Sequence, residues 1–315
     1  MTRRIAENLA LTAVRGVDIA HWNPLRRTTT WGAPSRRARP VRNFGDLLGP
    51  LVVRQLVREF GLAPATHDVT PRLLAIGSVL HLAEPGDVVW GAGLNAKTGT
   101  EVLTLPALDL RAVRGPRTHA QLLSRFGKRS PTTFGDPGLL LGALFPHLLV
   151  PPQRRHGVSV VPNLNELAQL QSRDRVVNPR WPLRAVVRRI ARSELVVGSS
   201  LHGIIVAESL GVPARAVRTS EEGSFKYEDY YLATGRDPHA LLADSVEDAI
   251  ARGGTEPPLW DPRPLLDAFP TDLWSGGATP AQVEHIAGRG LAGQPPPRDQ
   301  ECKVTIQSTS TLPPK

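Results

Sequence analysis

Apolar residues recur along this chain in two alternating patterns. Within residues 46–60 (DLLGPLVVRQLVREF), Leu47, Leu48, Leu51, Val52, Leu56 and Val57 fall largely on one helical face, and Gly61 follows as a stop. Short apolar runs of strand length stand at 73–76, 87–90 and 109–113, closed by Gly77, Gly91 and Gly115, and a helical pattern at 116–126 follows the last. Residues 15–22 (RGVDIAHW) read as a first strand, followed by a polar, Pro- and Arg-rich loop at 23–42. The pattern restarts beyond the Pro-rich stretch 146–152. Strands are expected at 157–161, 175–178, 194–198 and 214–217, with helices at 164–172, 183–192 and 202–210 between them. Strands alternating with helices indicate an α/β chain with parallel sheets. The expected organisation is an N-terminal Rossmann-like half over 1–150 carrying the loop 23–42, a second over 151–252, and a Pro/Gly-rich extension over 253–315. The end of that extension, 294–315, lacks apolar periodicity and reads as a disordered tail.

Composition narrows this picture. The chain has 315 residues, 41% of them hydrophobic, enough for substantial cores, and a single cysteine, Cys302, in the polar tail. No intrachain disulfide framework is available, and a reducing compartment is expected. The apolar run 139–150 is interrupted by Gly142, Pro146 and His147, short of the ~20 residues a membrane helix needs. No leader pattern is read at the N-terminus. The net charge of +9 suggests nucleic acid at first sight, but nine arginines against Glu7 and Asp18 within residues 1–42 account for +7 of it. The body is nearly neutral and aromatic residues are only 5%, which argues against a nucleic-acid-binding fold.

The strongest local signal is residues 194–213 (ELVVGSSLHGIIVAESLGVP), a buried strand running through a small polar turn into an apolar helix. His202 stands at the helix start, where unpaired N–H groups and the positive end of the helix dipole favour a phosphate or carboxylate. Ser199, Ser200 and Gly203 leave room for an anion and add hydroxyl donors; on spacing alone, such a histidine is more often an ordinary cap or core residue. Arg111, Arg114 and Arg117 cluster at a strand end and helix start, and the planar guanidinium suits carboxylate or phosphate. The same residues are common on surfaces. Asn43 to Asp46 fits a helix cap as well as a ligand contact, and Gly91 and Gly93 fit a turn as well as close ligand approach. Asp136, in the sequence GDPG, fits a turn before a catalytic carboxylate. Tyr227, Tyr230 and Tyr231 crowd one segment, with packing expected for two of them, and Lys226 beside them can reach a phosphate. The nine histidines are scattered, with no H-x-x-x-H, C-x-x-C or D-x-D pattern, so no metal site is expected.

The turn Ser199-Ser200-Leu201-His202-Gly203, ending in Gly211-Val212-Pro213, resembles the polysaccharide pyruvyl transferase family. Asn43-Phe44-Gly45-Asp46, Gly91-Ala92-Gly93, Val113-Arg114-Gly115-Pro116-Arg117-Thr118 and Gly135-Asp136-Pro137-Gly138 look like the same family in the same order. Two positions depart from it: Ser200 stands where many members have Arg, and Asn163 follows Pro162 where many have His. The resemblance implies a GT-B-like fold, two Rossmann-like domains facing across a cleft. It also implies transfer of the enolpyruvyl group of phosphoenolpyruvate to sugar hydroxyls of a surface glycan precursor, giving a pyruvate ketal. His202 and Arg114 are then the catalytic candidates. Ser199, Ser200, Leu201, Gly203, Asn43, Asp46, Gly91, Gly93, Arg111, Arg117 and Lys226 are the substrate-binding candidates. No cofactor is implied beyond phosphoenolpyruvate as donor substrate. The expected partner is a glycan or lipid-linked sugar, with residues 23–42 as the candidate for peripheral membrane contact. The expected location is cytoplasmic, at the inner face of the membrane. A GT-B-type glycosyltransferase using a nucleotide sugar is the alternative.

Overall fold

The chain begins its first sheet with a hairpin. Strand β1 (Leu9–Val14) pairs antiparallel with β2 (Val17–Trp22). Arg15 and Gly16 form the two-residue turn with φ of 48° and 88°, the left-handed pair whose twist matches that of the flanking strands. The sequence pattern alone places the first strand at 15–22 and does not mark β1, because the signal of an Arg-Gly turn is weaker than that of Asn-Gly or Asp-Gly. The computed structural model describes residues 9–26, 29–30, 33–34, 38–66, 70–95, 107–126, 133–170, 175–219, 223–255 and 257–289. The expected tail at 294–315 and much of the loop 23–42, including Arg36 and Arg37, lie outside the described residues.

Strands β3 (Arg72–Leu74), β4 (Val88–Trp90) and β5 (Asp109–Ala112) add in parallel to β2, giving the order β1-β2-β3-β4-β5. Helix α1 (Leu48–Glu59) buries Leu48, Val52, Val53, Leu56 and Val57 against this sheet, most of the face the periodicity predicts, with Val53 added and Leu47 and Leu51 only partly buried. Helix α2 (Pro116–Phe126) follows β5, and the short helix α3 (Leu141–Leu144) follows the turn Pro137–Leu140.

A second sheet is fully parallel and runs in chain order: β6 (Val158–Val160), β7 (Leu195–Gly198) and β8 (Ala214–Ala216). Helix α4 (Leu183–Ala191) precedes β7, and α5 (Leu201–Ser209) follows it. The expected strand at 175–178 is reduced to a single bridge between Val160 and Val176. The rest is therefore a mixed α/β chain with a parallel-rich sheet at its centre, as the alternation of runs predicts.

Helix α5 is mostly apolar, and Ile204, Ile205, Val206 and Ala207 are fully buried, as expected of a helix enclosed by other elements. It packs on β7 and β8 and also on the turn Pro137–Leu140 and α3. Gly142 lies so close to the Ser209 carbonyl that a Cβ there would overlap it. One apolar cluster accordingly includes residues from both sheets, among them Ile19 and Leu73 of the first and Val196 and Ala214 of the second.

Helices α6 (Phe225–Ala233) and α7 (Val246–Arg252) follow the second sheet; α8 (Arg263–Asp267) and α9 (Pro280–Gly288) then return to the first. Trp274 Nε1 donates to the Val14 carbonyl (2.9 Å), and Trp90 Nε1 to that of Leu265 (2.8 Å). Phe269 packs between these two indoles, edge-on to Trp90 and stacked on Trp274. The described part of the Pro/Gly-rich extension is thus folded onto the N-terminal sheet. No helix among the described residues is long and apolar enough to cross a membrane.

Candidate active site

Strand β7 ends at Gly198, whose φ of 140° and closeness to the Val161 backbone leave no room for a side chain. Ser199 follows, buried; its hydroxyl accepts from the Asn163 N–H (3.0 Å) and donates to Glu166, and its carbonyl accepts from Tyr227 (2.6 Å). Ser200 is the N-cap of α5, accepting from the Gly203 N–H at 3.2 Å. The first turn of α5 therefore opens at a fixed place. Ser200, Leu201 and His202 line a cleft of about 400 Å³ together with residues from both sheets. That size is within the ~300–1,000 Å³ common for small-molecule sites.

His202 lies at the inner end of this helix start, its side chain 14% exposed. Its Nε2 faces Oδ2 of Asp136 at 3.8 Å, and neither atom has a hydrogen-bond partner among the described residues. Asp136 Oδ1 accepts from the Gly138 N–H (2.9 Å), which holds the carboxyl in a fully buried position at the start of the turn Pro137–Leu140. Burial pushes the Asp136 carboxyl up to about 6, opposed by the Gly138 N–H and by Arg114. Burial, then Arg114 and Lys226, push the His202 imidazole down to about 3, so it is neutral at neutral pH. Gly45 packs flat on the imidazole, and a Cβ there would overlap the ring. The Asn43–Asp46 segment is thereby a wall of the histidine's pocket.

Arg114 is buried beside this pair. Its Nε donates to Asp229 Oδ2 (3.0 Å), Nη1 to Ser78 Oγ (2.9 Å) and Nη2 to the Leu94 carbonyl (2.8 Å). Asp229 also accepts from the Thr118 N–H (2.9 Å) and hydroxyl (2.6 Å). The guanidinium lies over Gly93, and Gly115 allows α6 to approach at Asp229. Arg114 still lines the cleft, so it presents fixed positive charge there while locked by an internal ion pair. Lys226, on the first turn of α6, lines the cleft from the same side, its Nζ 4.9 Å from the Tyr227 ring centre.

Of the candidates read from sequence, the cleft brings together His202, Ser200, Leu201, Arg114, Asn43, Asp46 and Lys226. Asn43 donates to Asp46 at 2.7 Å across that wall. Arg111 is not at the cleft: it forms ion pairs with Asp109 (2.7 Å) and Asp272 (2.9 Å) at the rim of the first sheet. Arg117 is likewise turned outward, paired with Glu228 at 2.7 Å. A strand-end position fixes where a backbone goes, and the side chains here follow nearby carboxylates. Gly91, with φ of 89°, is required by Pro137 packing on it, and Gly203 packs on Val161. Ser199 is buried below the cleft floor. All three tyrosines are packed, one more than expected: Tyr230 donates to Glu208, which Arg236 holds by two bonds of 2.8 Å.

Sequence reasoning missed several cleft residues. Ser78 and His81 follow β3 in the segment IGSVLH, where Gly77 marked a strand end but neither polar residue was singled out. Trp22 ends strand β2, Asn95 stands beyond β4 and Asn165 beyond β6, while Asn163, named above only as a departure from the family, lines the cleft as well. In open parallel sheets ligands gather at the carboxyl ends of strands, and that rule was the available signal. Among the described residues, no group of three His, Cys, Asp or Glu is placed to hold a metal ion.

The chain is similar in sequence to known proteins over part of its length. Over 210 residues the chain is 28% identical to the succinoglycan biosynthesis protein ExoV of Rhizobium meliloti (strain 1021), covering 61% of this chain and 64% of that protein. The chain thus spans just under two thirds of that relative's length. It is 26% identical over 229 residues to the uncharacterized protein L143 of Acanthamoeba polyphaga mimivirus, covering 66% of this chain and 77% of that one. The family model described as polysaccharide pyruvyl transferase matches residues 74–221. The stretch that holds Arg114, Asp136 and the turn into α5 at His202 therefore carries the sequence pattern of the polysaccharide pyruvyl transferase family.

Proposed function

We propose that this chain is a pyruvyl transferase that takes phosphoenolpyruvate as donor and forms a pyruvate ketal on a sugar of a glycan precursor. The observation that carries this reading is the His202–Asp136 pair at the start of α5, beside two cations, within the segment matching the family. In the proposed reaction a sugar hydroxyl oxygen bonds to C2 of phosphoenolpyruvate and loses its proton, while C3 gains one. The oxygen of a second hydroxyl then bonds to C2 as the bond from C2 to the phosphate oxygen breaks, and the proton of that hydroxyl leaves with the phosphate. Phosphate and the ketal are the products.

The anionic donor requires cations and N–H groups. Arg114, Lys226 and the first turn of α5 supply them, and Ser200 serves as the helix cap at the position where many family members have Arg. Proton transfer is assigned to His202. Its imidazole is held neutral because burial and two cations disfavour the charged form. A bound trianion offsets those cations and raises the imidazole toward the working range of an acid–base group. Asp136 is a positioning residue that faces Nε2 and fixes which edge of the ring meets the substrate. The two α/β halves are read as a GT-B-like pair with the cleft between them, and the mechanism calls for no metal.

The test is thermal stabilisation. Phosphoenolpyruvate near 100 times its Kd should stabilise the protein by about 2.7 kcal/mol, with UDP- and GDP-sugars having little effect. Stabilisation by a nucleotide sugar and not by phosphoenolpyruvate would instead assign a glycosyltransferase. Release of phosphate from phosphoenolpyruvate only when a glycan acceptor is added would complete the case.

A further inference from the structure

Several arginines are held by carboxylates, others among the described residues such as Arg39, Arg154 and Arg180 are not, and five of the latter kind stand on helix α1 and on α4 and its flank. Helix α4 and its flanks carry Arg184, Arg188 and Arg192 along one exposed side. On α1, Arg54 and Arg58 follow Leu51 by one and two turns on the same exposed face. None of these five side chains has a hydrogen-bond or ion-pair partner among the described residues, whereas Arg72, Arg117, Arg236, Arg252, Arg263 and Arg289 all do. Between the two helices runs an apolar groove of about 200 Å³ with Leu51, Phe145, Leu148, Leu183 and Val187 in its walls and Arg184 and Arg188 at its edge. At the N-terminal end of α4 stands Trp181, 44% exposed.

We propose that this α1–α4 face docks the protein on an anionic phospholipid bilayer. Guanidinium groups without internal partners attract acidic headgroups, a half-exposed indole sits at the headgroup level, and an apolar groove accepts what lies just beneath. Each feature alone is common, and the bilayer is the partner that uses all of them. A duplex nucleic acid meets the charges but leaves the groove and indole without a role. A second copy placed face to face brings five arginines against five, a repulsive arrangement. The face also adjoins the cleft: the Phe44 N–H donates to the Pro179 carbonyl (2.9 Å), linking the segment before Trp181 to the Asn43–Asp46 wall. A membrane-borne substrate would thereby be met at the cleft's edge. This surface is separate from residues 23–42, and the proposal does not depend on the chemistry proposed for the cleft.

The experiment is co-sedimentation of the full chain with vesicles of phosphatidylcholine alone and of equimolar phosphatidylcholine and phosphatidylglycerol, without donor or acceptor. Binding to the mixed vesicles, weakened by salt and nearly absent on phosphatidylcholine, is expected. Arg184→Glu/Arg188→Glu/Arg192→Glu should lower the partition coefficient on the order of 100-fold, as each arginine near an anionic surface contributes roughly 1 kcal/mol. Trp181→Ala should lower it several-fold in a salt-independent way. The substituted side chains are exposed, so melting temperatures should match the parent; Arg184→Gln/Arg188→Gln serves if the triple variant melts early. Undiminished vesicle binding by both arginine variants would overturn the proposal and assign any membrane contact to residues 1–42. Wild-type binding to duplex DNA in preference to mixed vesicles, or a dimer in solution that the triple variant abolishes, would overturn it as well.

Discussion

Asp136→Asn asks which partner of the buried acid–base pair carries the proton. The carboxyl rises from 3.8 to about 6 in the folded chain, chiefly through burial. At about 1.4 kcal/mol per pH unit, this is a penalty of roughly 3 kcal/mol for holding the ionised form inside the protein. Because the folded pKa is raised, the stability associated with the protonated group is present below pH 3.8, is lost as pH rises to about 6, and stays lost above it. Asparagine keeps the acceptor for the Gly138 N–H, has nothing to ionise, and can donate from Nδ2 toward His202. The variant should therefore match the parent near pH 4 and exceed its stability by up to about 3 kcal/mol at pH 7 to 8, a difference that urea denaturation across that pH range resolves. The imidazole is folded as the neutral form in both proteins, so its own pH dependence cancels in the difference. Activity should move the other way, with kcat falling within the ~10²–10⁴-fold that acid–base assistance supplies and donor Kd unchanged. A variant less stable than the parent at pH 8 would refute this reasoning, since it would mean that an ionised Asp136 is paired with an imidazolium.

Replacing His202 by Ala should lower kcat by ~10²–10⁴-fold while isothermal titration shows nearly normal phosphoenolpyruvate binding, because Ser200, Arg114 and Lys226 remain; a stable variant with parental kcat removes His202 from the chemistry. Gly45→Ala should reproduce much of that loss, since its Cβ overlaps the imidazole and must displace it; the check is kcat on a preparation whose melting temperature is close to the parent's. Arg114→Met should cost about 3–5 kcal/mol by leaving Asp229 buried with only Thr118 as partner, and adding Asp229→Asn should recover part of that in a double-mutant cycle. Turnover should be insensitive to EDTA, and a loss restored by a divalent ion would require a metal-dependent mechanism.

The alternation of apolar runs with glycine-closed turns was enough to place most strands and helices, because strand and helix periods are local properties. The same local logic located the start of α5: a buried strand, two serines and an apolar helix put a cap and a histidine at a strand's carboxyl end. It could not say what stands opposite. Asp136 looked like a turn residue, and it is one, since Gly138 donates to it; only the packing of its turn on α5 aims the second oxygen at His202. Arg111, Arg114 and Arg117 are three arginines around one strand end, and only the family resemblance sets Arg114 apart from the other two in sequence. Their fates diverge through carboxylates brought in from distant segments: Asp229 buries the first beside the cleft, while Asp272 and Glu228 hold the other two outside it. Gly45 and Gly93 carry no side chain to read, and their roles are set by the ring and the guanidinium that the fold lays over them. Sequence by itself determined where the backbone turns and which residues are chemically able to act. Tertiary structure decided which of them meet, because burial, desolvation and ion pairing are properties of neighbours that lie far apart along the chain.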